Sequence, residues 1–235
     1  MPKDYVYLDY FNGGVPPGAL FSVDLADITG VLMRVPIPKH GLDEAAELFL
    51  IGLVAYFEAF CRNHFAALVN ICPALIEELK KKGRDVSVDT NILLMFKKQP
   101  WKHLGFLLAE KYDFGTPRSI NGLYMDLLQI TPFSKDEAKQ FERLLNDRNL
   151  LVHHGGVYTV RYAGQTLVKR QTRQRIFFNS LVIRRRDVEA AAAFLTEIAK
   201  KIMKATQAAL IKYINENKIR ISQAQQLAID NLAAW

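Results

Sequence analysis

The sequence predicts a mainly α-helical bundle with a short N-terminal β segment and a β-hairpin excursion after one of its later helices. Three observations carry this. Over residues 42–70, Leu50, Leu53, Val54, Phe57, Cys61, His64, Phe65 and Leu68 recur at a spacing near 3.6, the stripe of a helix buried on one face. Ser134 and Glu137 stand at the spacing of a capping box, and Gly155-Gly156 offers a left-handed cap about five turns on, so a helix is expected from there to His154. Residues 187–215 are alanine-rich and free of Gly and Pro, which suits a third long helix.

Residues 1–41 read as strands and turns: Tyr5, Tyr7 and Leu8 suggest a strand, the Gly-Gly and Pro-Pro-Gly runs break it, and residues 19–25 and 31–35 continue a small sheet. Pro73 suits the first turn of a helix reaching Lys82. Short helices are expected at 101–112 and 118–130, strands at 156–162 and 175–184, and a last short helix at 222–232. The organisation is therefore an N-terminal extension (1–41), a helical domain (42–215, with the hairpin at 156–184) and a helical tail (216–235).

At 235 residues, half of them hydrophobic and 23% charged, the chain can bury a sizeable core. Its most apolar run, 48–61, is too short for a bilayer and contains Glu58. No membrane partner is expected, and without a signal-peptide pattern the default location is cytoplasmic. Cys61 and Cys72 have no metal-ligand spacing, and the chain has no glycine-rich phosphate loop after a strand, no HExxH and no CxxC. Neither metal nor cofactor is expected. The net charge of +7 favours polyanionic partners. Residues 161–186 hold eight Arg and Lys and no acid, making Lys169, Arg170, Arg173 and Arg175 candidate RNA-binding residues on a loop.

The helix ending at His154 carries the chemistry. With Phe141 as reference, Leu144, Leu145, Leu151 and Val152 fall within about 80° on a helical wheel. Arg148 falls about 20° away, inside the apolar stripe, where a permanent charge requires a partner. Glu58 has two: Arg62 at i+4 on its own helix, the favoured pairing, and Arg148 across the bundle. Asn149 and His153 share a face, about 140° from Arg148 in the case of His153.

The string Arg148-Asn149-Leu150-Leu151-Val152-His153-His154-Gly155-Gly156-Val157 resembles the signature of HEPN domains, an Arg, a polar residue and a His after a short gap. The run 55–60 on the early helix, and residues 180–195 after the motif, are similar to the RiboL-PSP-type subgroup; the likeness covers about residues 42–212. It implies a HEPN-type helical bundle, a homodimer with a composite site, and metal-independent endoribonuclease activity in a toxin–antitoxin or antiviral defence setting, with an antitoxin or regulatory protein as a further partner. By the same resemblance His153 is the catalytic His, Arg148 the phosphate-binding Arg and Asn149 the polar helper. His154 also falls within the permitted gap and is the alternative to His153, which the four-residue gap favours, while Glu58 is a supporting residue through its pairing with Arg148. Position 155 is Gly, so silencing by nucleotide transfer to a Tyr two residues after the His is not implied. The alternatives are a non-catalytic HEPN module that binds RNA or nucleotides, and a scaffold partner.

Overall fold

A computed structural model describes residues 3–38, 41–89, 91, 103–166 and 180–235. Its helices are α1 (Pro17–Arg34), α2 (Glu44–Ile71), α3 (Leu75–Lys81), α4 (Leu104–Ala109), α5 (Pro117–Leu128), α6 (Lys135–His154), α7 (Val160–Thr166), α8 (Arg185–Glu216) and α9 (Gln223–Asn231). The mainly helical class and the long helices agree with the sequence reading. Among the described residues no helix is long and apolar enough to cross a membrane.

The centre of the bundle is α2, which packs against α1, α4, α6 and α8. All eight residues of its predicted stripe are buried, and from Phe65 to Ile71 every residue is. A helix apolar on all sides needs neighbours on all sides, and that is its position here. Asn70 is the polar exception. Its carboxamide accepts the Gly105 N–H at 2.7 Å and donates to the Tyr10 carbonyl at 3.3 Å, tying α4 and the N-terminal segment to α2. Gly105 lies so close that an added Cβ would stand 2.0 Å from the Ala66 carbonyl oxygen. Gly105→Ala is therefore expected to push α4 off α2 and cost about 2–3 kcal/mol, read as a lower urea midpoint with an unchanged slope.

The β expectations need correction. Residues Lys3–Tyr10 form a 3-10 helix, and 17–34, expected to contain strands, form α1. The buried set Gly18, Phe21, Leu25, Ile28 and Leu32 repeats by threes and fours, a helical period. Gly18, Gly30 and the β-branched Val23, Ile28, Thr29 and Val31 obscured it, each a poor helix former alone. Pro17, read as a breaker, occupies the first turn, where its missing N–H costs nothing. The hairpin is replaced in its first arm: among the described residues only one antiparallel bridge, Val157 with Ser180, stands there, and α7 begins at Val160. The Thr159 hydroxyl accepts the Tyr162 N–H at 3.1 Å, starting the helix the way a capping residue does. Lys169, Arg170, Arg173 and Arg175, and the strand expected from 175 up to 179, lie outside the described residues.

Candidate functional site

The helix that carries the Arg and His residues, α6, is fixed at both ends. At its start the Ser134 and Glu137 side chains satisfy each other's backbone amides. At its end Gly155 and Gly156 take left-handed backbone (φ 55° and 78°), and the Gly156 N–H closes on the Leu150 carbonyl at 3.2 Å. Only glycine adopts two such conformations in succession at little cost. In between, Phe141 is locked against Phe57 of α2 (centroids 5.1 Å apart) and against Phe133 (5.3 Å, stacked). These contacts set the rotation of α6, and hence where each polar residue points.

Arg148 points at α2. Its guanidinium lies 2.5 Å from the Glu58 carboxylate, the two side chains 25% and 22% exposed. The charge inside the apolar stripe is thus explained by the less favoured of the two pairings: Glu58 takes Arg148, not Arg62. At this depth water screens the pair only partly, so the contact holds the two helices in register.

Asn149, His153 and His154 point elsewhere. Together with Asn146 and Leu150 they form one wall of an open cleft of about 270 Å³, whose other wall is Thr159, Arg161 and Tyr162 at the start of α7. The chain turns at the two left-handed glycines, and α7 contacts α6. Leu150, on the wheel the outermost apolar residue of α6, is 2% exposed, as are Tyr162 (6%) and Ala163 (5%) nearby. Val152, expected in the stripe, is 49% exposed. The Tyr162 hydroxyl donates to Asp147 at 2.6 Å, and the Tyr158 ring stacks on Tyr162 at 5.2 Å. Burial raises the Asp147 carboxyl above its ordinary range, opposed by that hydrogen bond and reinforced by the charge of Asp187.

The structure therefore joins Asn149, His153 and His154, and sets Arg148 with Glu58 outside the cleft. Sequence reasoning missed Asn146, Thr159 and Tyr162, and gave Arg161 to a strand. One signal was available: Asn146, Asn149 and His153 fall on a single i, i+3, i+7 ridge, which marks a shared face.

The lining holds two imidazoles, two carboxamides, a hydroxyl, a phenol and a guanidinium, with no carboxylate. Among the described residues the side chains of Asn146, Asn149, His153, His154 and Arg161 make no hydrogen bond or ion pair within the chain. Such a set can donate hydrogen bonds to an anion. Also among the described residues, no group of three His, Cys, Asp or Glu is placed to hold a metal ion. Both cysteines are buried, and burial raises their thiols above the ordinary range. No protein-family model, curated protein or solved structure matches this chain.

Proposed function

We propose that this chain is an endoribonuclease of the HEPN type that cleaves RNA without a metal, with His153 as the proton-transferring group. The observation that carries the reading is the cleft itself, where His153, His154, Asn149 and Arg161 meet with no carboxylate in the lining. In this reading His153 takes the proton of a ribose 2′-hydroxyl as its oxygen attacks the adjacent phosphorus. The bond to the 5′-oxygen breaks, and that oxygen takes up a proton, for which His154 is the candidate donor. The products are a 2′,3′-cyclic phosphate and a 5′-hydroxyl. Histidine suits both transfers because an imidazole offers one nitrogen that accepts a proton and one that donates it.

Pairing of two chains about α6 belongs to the proposal because the HEPN resemblance implies it. An RNA substrate, a regulatory or antitoxin partner and a defence role stand as further parts of it. The test is cleavage of a mixed RNA pool in EDTA by the wild type and by His153→Ala, both first matched in fold and oligomeric state. Loss of cleavage in the variant alone, with a cyclic phosphate product, is the expected result. Equal cleavage by both proteins would overturn the assignment to His153. One observation favours a second reading, that of a non-catalytic RNA-binding module: Glu58 already neutralises Arg148, the Arg that turnover is taken to need. Cleavage by neither protein, with RNA binding retained, would select it.

A further inference from the structure

We infer that Arg161, not Arg148, is the residue that holds the RNA phosphate in the His153 cleft; the RNA part of this rests on the ribonuclease reading above. The two arginines differ in what they already touch. Arg148 is committed to Glu58 at 2.5 Å and is absent from the cleft lining. An anion would have to displace a carboxylate that is packed at contact distance and only partly reached by solvent. Arg161 lines the cleft, is solvent-exposed, and has no carboxylate partner among the described residues. Its guanidinium can take two phosphate oxygens with nothing to displace.

The surroundings agree with an anion as occupant. Asn146 and Asn149 bring carboxamide N–H donors, Thr159 brings a hydroxyl, and His153 and His154 bring ring N–H groups. The Tyr162 hydroxyl is already given to Asp147, whose carboxylate is not among the lining residues. A phosphodiester fits this chemistry, whereas a cation would find one permanent positive charge and no negative one. Arg148 is then a positioning residue: through Glu58 it fixes the rotation of α6 and so the aim of His153.

The test is binding of a fluorescein-labelled single-stranded RNA, followed by anisotropy between 50 and 200 mM salt, in a His153→Ala background that prevents turnover. Adding Arg161→Ala is expected to weaken binding about fivefold or more and to lower the salt slope by about 0.7, the loss of one phosphate contact on a single strand. Arg161→Lys should keep most of the slope, and Arg148→Ala should leave it unchanged. An unchanged slope in Arg161→Ala, or a loss confined to Arg148→Ala, would overturn the assignment, as would absence of RNA binding by the background protein. Displacement of the RNA by about 1 mM inorganic phosphate would assign the site to free phosphate and overturn the RNA part. The two proposals fail separately. A wild type that cuts no RNA yet shows the Arg161 slope effect loses the ribonuclease reading and keeps the phosphate site. A wild type that cuts RNA with a KM indifferent to Arg161→Ala does the reverse.

Discussion

Acidification from pH 6.5 toward pH 3 is expected to cost the wild type up to about 1.4 kcal/mol of stability per pH unit, and His64→Leu is expected to remove that slope. His64 is fully buried on α2, between the rings of Phe60 and Tyr124. Its Nε2 lies 2.7 Å from the Thr206 hydroxyl, which itself donates to the Ile202 carbonyl at 2.8 Å. The hydroxyl proton is thus used, so Nε2 is the donor and Nδ1 the bare acceptor. That Nδ1 is buried with no partner. A proton arriving there creates a cation that nothing accepts a bond from, and burial pushes the ring down from 6.5 to about 3. The flanking aromatic faces return about 1 kcal/mol of cation–π attraction, less than the desolvation of an imidazolium takes away.

The sign follows from where the proton goes. Between pH 6.5 and about 3 the unfolded chain binds it and the native chain does not, so acid favours unfolding throughout that window. Stability is complete above pH 6.5, and the full loss near pH 3 is on the order of 4 kcal/mol, a large part of what a domain has. Urea midpoints of wild type and His64→Leu at pH 7.5, 5.5 and 4.5 measure it. Carboxylate titrations are common to both proteins and cancel in the difference. The two should be nearly equal at pH 7.5, because leucine replaces a ring with an unsatisfied nitrogen, and should diverge in favour of the variant as pH falls. Parallel pH dependences would show that the ring protonates in place or that α2 opens locally before unfolding.

His64 also marks where sequence reading succeeds. Its place in the α2 stripe, with Leu50, Leu53, Val54, Phe57, Cys61, Phe65 and Leu68, was legible because burial along one helix repeats with the helix period and needs no knowledge of the neighbours. The capping box at Ser134 and the left-handed Gly155 were legible for the same reason, since both are local chemistry. What failed was non-local or masked. The α1 helix was hidden because β-branched residues and glycines carry a helical period that only packing against α2 makes worthwhile. The burial of Leu150 on the outer face of α6 goes with the contact of α7, which no periodicity within α6 encodes. Glu58 and Arg148 are 90 residues apart, and the local pairing with Arg62 was the simpler expectation. The candidate site was thus half legible: its His and Asn residues lie on one helix, while its second wall comes from another element.

The Glu58–Arg148 contact yields the sharper test of what Arg148 does. Arg148→Ala leaves a carboxylate facing the interface with no counter-charge, and at about a quarter exposure the expected cost is about 2 kcal/mol. Glu58→Ala should cost a similar amount, because the stranded group is then the guanidinium. Exchanging the charges, Glu58→Arg with Arg148→Glu, is expected to recover at least half of the loss and to give a coupling of about 1–3 kcal/mol in the double-mutant cycle. Stability alone would establish only the pair. Activity on RNA separates positioning from contact with the substrate. If Arg148 positions α6, each single variant lowers cleavage and the exchanged pair restores it to within about threefold, because His153 regains its aim. If Arg148 instead grips the phosphate, the exchanged protein folds but presents a carboxylate to the transition state, and cleavage stays down by about a hundredfold or more. Restored stability without restored cleavage would return the phosphate to Arg148 and require the pairing of two chains; restoration of both leaves Arg161 as the cation of the cleft.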